Sequence, residues 1–315
     1  MSEKTKQRRA IKKGIRGFGW ILNAQHLLLL LVVFAYGIGA AIAAYQIQGS
    51  HVNLNQLENK LSQNGWPMIF AVIFAFIPIL CFRRKRFFTD DLTARNKKIT
   101  VKVFLVSLFL VLGVNTVLGL LSYPTDALLH AIGFTAKPSE QVLDGSTTIS
   151  MLVYTCLIAP VLEEFLYRGF ILRSLEKFGS FFAIVTSALL FGLMHENIIQ
   201  LPYAFGIGLI FGYLAKTYSI KLTILIHIAN NTLGELFSDL VPSSGLIGTS
   251  LNLVCSILPV AVAIWLIWHY RLAIRAWFRE NRPNKAAFVA FYTSIPILIL
   301  IISNIISTML GIEKL

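Results

Sequence analysis

The chain has 315 residues, 56% of them hydrophobic, and a formal net charge of +13. That apolar share lies above the roughly 45–50% of soluble domains and excludes a soluble globular protein, and the lack of period-two alternation excludes an outer-membrane barrel. The basic residues fall in short stretches between apolar runs, the signature of cytoplasmic loops, so the lipid bilayer is the expected partner and nucleic acid is not.

The expected fold is all-α, a polytopic transmembrane helix bundle of eight or nine spans. Residues 1–25 form a basic cytoplasmic segment with seven Lys/Arg in its first twenty positions. The run LLLLLVVFAYGIGAAIAAY that follows is long for a cleaved signal and reads as a signal anchor. At roughly 20 apolar residues per span, nine spans fall near 26–47, 66–82, 101–122, 147–167, 180–196, 199–215, 222–240, 246–270 and 286–310. Residues 26–146 group as N-terminal transmembrane helices, 147–240 as a core of spans four to seven, and 241–315 as C-terminal transmembrane helices. In this map only Lys60, Lys137 and Lys314 of the 28 Lys/Arg lie on the outer side. That bias sets the N-terminus in the cytoplasm of a multi-pass cell-membrane protein. A re-entrant ninth span would return the C-terminus to the inner side. The outer loop 123–146 contains a short amphipathic piece that suits the membrane surface. Cys81, Cys156 and Cys255 stand far apart, in or beside apolar segments, and read as small packing residues.

Few spans carry ionisable or strongly polar side chains. Such a group at mid-membrane costs at least about 2.5–3.5 kcal/mol and marks a candidate functional site. In EEFLYRG, Glu164 and Arg168 are four apart with the acid first, the favourable order for a helical ion pair. Their role is either a structural ion pair or part of the chemistry. Glu163 is rotated by about 100° from Glu164 and has no arginine of its own in that helix, which suits a general base or acid. In FGLMHEN, Phe191 and His195 share one helix face; a lone histidine there is also a common helix-packing hydrogen-bonder. Residue 199 is Ile, so HExxH is absent. In HIANNT, His227 and Asn231 point the same way, as oxyanion donors or as interhelical glue. Pro160, one turn before the glutamates, is expected to kink its helix. His227 sits only six residues past Lys221, so it falls shallower than Glu163 unless the span 4–5 hairpin projects into the cytoplasm. Gly208 and Gly212 form a GxxxG packing face.

EExxxR, FxxxH and HxxxN, in that order on separate apolar helices, resemble the CAAX-protease and bacteriocin-processing (Abi, type II CAAX prenyl endopeptidase-like) family. The match rests on Glu163, Glu164, Arg168, Phe191, His195, His227 and Asn231 and covers residues 147–240. The resemblance implies a glutamate-dependent intramembrane endopeptidase acting on a membrane-associated peptide or protein. Glu163 would activate water and His195 would share that task. His227 and Asn231 would bind the tetrahedral oxyanion, and Glu164 with Arg168 would hold and tune the site. The expected cofactor is none; the alternative is Zn²⁺ on Glu163, His195 and His227. The cavity is expected to open to the cytoplasm, and bacteriocin or peptide-pheromone processing would be typical of the family. Two other readings stay open on the same scaffold: a non-catalytic membrane regulator or self-immunity protein, and a proton-coupled transporter.

Overall fold

In a computed structural model, residues 3–94, 96–137, 148–240 and 245–315 are described. Arg95 and the outer-loop residues 138–146 lie outside them. The architecture is all-α apart from two antiparallel two-residue strands. The helices in chain order are α1 (Glu3–Gln48), α2 (Leu54–Ser62), α3 (Gly65–Phe74), α4 (Ile77–Arg83), α5 (Val101–Gly119) and α6 (Ser122–Ala131). Strand β1 (Phe134–Thr135) follows, then α7, a continuous span Ile149–Phe178. After it come α8 (Ser180–Leu193), α9 (Gln200–Thr217), α10 (Ile220–Leu240), α11 (Gly245–His269), α12 (Arg271–Glu280), α13 (Lys285–Tyr292), α14 (Ile295–Leu310) and strand β2 (Glu313–Lys314).

Five helices among the described residues are long and apolar enough to cross a membrane: Ala10–Gln48, Gly65–Arg83, Val101–Ala131, Ile149–Phe178 and Gly245–His269. A sixth is counted if α13 and α14, bent by 68° at Thr293–Ser294, act as one span. Eight or nine spans are not shown: three of the expected apolar runs fall in helices shorter or more polar than a crossing helix by that measure. α8 has 14 residues, about 21 Å at 1.5 Å per residue, against a hydrocarbon core of about 30 Å. α9 starts at Gln200 and ends near Lys216, and α10 carries Lys221, His227, Asn230, Asn231 and Glu235. α8 and the side of α9 against it bury their apolar residues in protein, whereas α10 leaves Leu225, Leu233 and Leu236 exposed. Phe182, Ala183 and Ala188 of α8 and Phe211 and Ala215 of α9 are fully buried.

α8 and α9 lie back to back because glycine permits it: a Cβ on Gly208 would sit 3.0 Å from Ala188, and one on Gly212 would sit 3.0 Å from Ile184. The central core adds Ile15, Phe18 and Leu22 of α1, Leu166, Tyr167 and Phe170 of α7, and Phe291, Ile297 and Leu300 of α13 and α14. Thus the first and last helices flank α7 and α8. One end of the bundle gathers basic segments. Gly14 lies beside Lys177 and Phe178, Asn284 Nδ2 donates to the Phe178 carbonyl at 2.9 Å, and Glu176 pairs with Arg173 and Lys216. At the other end Thr148 Oγ1 donates to the Gln63 carbonyl at 2.6 Å. Strand pairing of Phe134 with Lys314 brings the final residues to the loop carrying Lys137.

α5 meets α11 at Gly113, where a Cβ would come within 2.3 Å of the Pro259 carbonyl oxygen and 2.6 Å of Ala263 Cβ. Gly113→Ala is therefore expected to push α5 off α11 and destabilise the purified protein by about 1–3 kcal/mol. Gly119→Ala, on the same helix with nothing within 4 Å, is expected to leave the thermal midpoint in detergent unlowered. Equal midpoints for the two variants would refute this account of the helix contact.

Candidate active site

The site begins with the winding of α7. A proline inside a helix removes one N–H and clashes with the carbonyl four residues back. Here Pro160 opens a short α segment, Ala159–Glu164, preceded by a π turn over Tyr154–Ile158 and followed by another over Phe165–Leu172. Wider π turns absorb the clash and are common where function needs an irregular helix. Glu163 and Glu164 close the α segment between them.

Glu164 and Arg168 are both fully buried. Glu164 Oε1 lies 3.0 Å from Arg168 Nη1; the contact is ionic rather than a well-aligned hydrogen bond. The guanidinium is held from other sides as well. It lies 4.3 Å from the ring centre of Phe191 and 5.2 Å from that of Phe211, and Nη2 donates to the Gly208 carbonyl at 3.4 Å. Phe191, the first residue of FxxxH, thereby supports the arginine and packs edge-on against His195, His227 and Tyr167.

α10 runs antiparallel to α7. Ile220 reaches Gly169 and Asn231 Nδ2 donates to the Thr155 carbonyl at 3.0 Å. That register puts His227 between the glutamates. Its Nδ1 lies 3.2 Å from Glu164 Oε1 and its Nε2 lies 3.6 Å from Glu163 Oε2. Since a carboxylate oxygen only accepts, Nδ1 carries a proton. The depth mismatch expected between His227 and Glu163 is absent, because α9 ends beside α7 before the α7–α8 turn. Arg173 Nη2 donates to the Ala215 carbonyl at 3.1 Å, and the hairpin tip extends beyond that level.

His195 follows α8. Its Nδ1 lies 2.7 Å from the Phe191 carbonyl oxygen, which fixes the proton on Nδ1 and leaves Nε2 as an acceptor. Next to it, Asn197 Oδ1 accepts from the N–H groups of Ile199 and Gln200 and caps the start of α9. Glu163 and His195 both line a cavity of about 260 Å³ bounded by α1, α3, α7, the end of α8, and α14. Glu163 is thus shared between His227 on one side and the cavity on the other, whereas Glu164 is sealed behind it. Of the six expected site residues, five form one connected group: Glu163, Glu164 and Arg168 on α7, His195 after α8, and His227 on α10. Asn231 joins through α7, with one amide N–H on Thr155 and a second to spare.

Other cavity-lining residues carried no motif. Tyr154 and Tyr167 from α7, His26 from α1, Glu196 after α8 and Asn304 from α14 all face it. His26 and Asn304 were invisible because they lie outside the three motifs, in runs that read only as membrane anchors. Among the described residues no three His, Cys, Asp or Glu side chains group so as to hold a metal ion. Glu163, His195 and His227 as placed do not fit a zinc-ligand set.

Comparison with known proteins adds a family. Residues 145–233, which contain all six site residues, match the model of a family described as "Type II CAAX prenyl endopeptidase Rce1-like". The chain is similar to "Putative membrane peptidase YdiL" of Bacillus subtilis (strain 168), at 25% identity over 183 residues covering 56% of this chain and 72% of that protein. No solved structure matches it.

Breaking a buried ion pair from one side strands the other charge. Arg168→Met is expected to destabilise the protein by about 3–5 kcal/mol, and the double variant Arg168→Met/Glu164→Gln to recover part of that loss. Thermal unfolding in detergent checks both, and a single variant as stable as wild type would refute the clamp.

Proposed function

Through residues 145–233 the chain belongs to the Rce1-like type II CAAX prenyl endopeptidase family, and on that premise we propose that it is an intramembrane endopeptidase that hydrolyses a peptide bond in a membrane-associated peptide or protein. The observation that carries this reading is Glu163, a carboxylate facing both an apolar-walled cavity and His227, with the acceptor Nε2 of His195 on the same cavity.

In the proposed reaction a water molecule sits between Glu163 and His195 Nε2. Glu163 takes one proton as the water oxygen attacks the scissile carbonyl carbon. The donors assigned to the developing carbonyl oxyanion are Asn231 and His227, at roughly 2.7–4 kcal/mol per donor in other hydrolases; neither lines the cavity, so the scissile carbonyl has to reach past Glu163 to meet them. The carbon–nitrogen bond then breaks, and Glu163 passes its proton to the leaving amine. Glu164 and Arg168 touch no reacting atom; they fix His227 and the α7 backbone, which sets the geometry. No metal takes part. The N-terminus is cytoplasmic, in keeping with the basic segments collected at one end of the bundle, and the cavity receives its substrate from that side.

Purified wild type, Glu163→Gln and His195→Ala, tested in liposomes against membrane-anchored peptides with and without a chelator, decide the matter. Glu163→Gln is expected to cut turnover by about 10²–10⁴-fold without lowering the thermal midpoint, and chelator is expected to have no effect. Full cleavage by Glu163→Gln would sink the mechanism, and loss with chelator reversed by Zn²⁺ would replace it.

A further inference from the structure

The cavity has a second polar corner that the catalytic reading does not use. Glu196 follows α8 with φ of +50°, a left-handed conformation that glycine or asparagine normally takes just past a helix and that strains a residue with a long side chain. Ser307 of α14 lies near its carboxylate. Its Oε1 lies 3.9 Å from Nε2 of His26 on α1, too far for a hydrogen bond, and this buried oxygen has no hydrogen-bond partner. His26 Nε2 instead faces Ser303 Oγ of α14 at 3.4 Å. The corner therefore presents a positioned acceptor that lacks a donor.

The rest of the cavity says what donor fits. The described residues lining it include two carboxylates, Glu163 and Glu196, and no lysine or arginine. An unsatisfied carboxylate oxygen in apolar surroundings is costly, and a cationic donor satisfies it best through a charge-assisted hydrogen bond. Leu29, Leu30 and Met68 supply apolar wall for an aliphatic stem. A second acid entering there would meet like charge.

We propose that Glu196, flanked by Ser307 and His26, is a specificity-determining residue that receives a lysine or arginine side chain of the substrate close to the cleaved bond. The assignment rests on the endopeptidase reading for the word substrate, but not for the charge preference of the cavity. It places the selective carboxylate inside residues 145–233, which also carry the reacting groups, and its neighbours His26 and Ser307 outside them, on α1 and α14.

The test compares membrane-anchored peptides that differ only in one residue flanking the cleaved bond: lysine, norleucine or glutamate. Wild type is expected to favour lysine over norleucine by about tenfold in kcat/KM and to cleave the glutamate peptide slowest. Glu196→Gln is expected to bring the lysine-to-norleucine ratio close to one. Glu196→Lys is expected to invert the lysine–glutamate order, which a merely structural defect does not do. Charge indifference in wild type, or a lysine preference that survives Glu196→Gln, overturns the assignment. Binding of the same peptides to Glu163→Gln and to Glu163→Gln/Glu196→Gln, read by fluorescence anisotropy, separates the two readings. Charge-selective binding lost in the double variant, with no cleavage by wild type, sinks the endopeptidase and keeps the Glu196 role. Cleavage without charge selectivity does the reverse.

Discussion

Everything around the cavity depends on two full charges sealed in a membrane protein interior. Glu164 and Arg168 have no access to solvent, and a buried ion pair by itself is a weak source of stability because both ions lose their hydration. What makes this one tenable is how many elements converge on it. The carboxylate accepts a hydrogen bond from Nδ1–H of His227, and the guanidinium has aromatic rings on two sides and a backbone carbonyl from α9. Four helices are tied to one point: α7 by sequence, α8 through Phe191, α9 through Phe211 and Gly208, and α10 through His227. The pair works as a registration device for the bundle more than as an attraction between two side chains.

The adjacent glutamates then divide the labour. One residue apart on a helix, they point about 100° apart, so one can be sealed while the other faces space. Glu163 keeps 17% of its side-chain surface accessible where Glu164 keeps none. His227 joins them, one ring nitrogen to each. A motif of two consecutive acids is thus a way to place a cavity-facing carboxylate at a fixed distance from a rigid anchor.

Much of this was readable from the sequence, for local reasons. A Glu–Arg spacing of four residues needs only a helix to become an ion pair, and the Gly208–Gly212 spacing needs only a helix to become a close-packing face. The contact between His227 and both glutamates was not readable, because it depends on the antiparallel register of α7 and α10, fixed by Asn231 on Thr155 and Ile220 on Gly169. Nor were the π turns either side of Glu163, since no residue pattern marks them. The surroundings of α8 were not readable for a different reason. An apolar run reports that water is excluded, but not whether lipid or protein does the excluding, and Phe182 and Ala183 are covered by protein. His26 sits in a run that reads only as an anchor, and its partners Glu196 and Ser303 are remote in sequence.

The pairing of the last strand with the loop after α6 bears on how the molecule is made. One side of the cavity is walled by α1 and by α14 packed against it, and strand β2 fastens α14 down. Contacts between the two ends of a chain are the last to form when it emerges residue by residue from its N-terminus. The chamber around Glu163 therefore stays open on one side throughout synthesis and closes only when the final helix has been laid in. A nascent or C-terminally shortened chain lacks a walled cavity even though all six motif residues are already present.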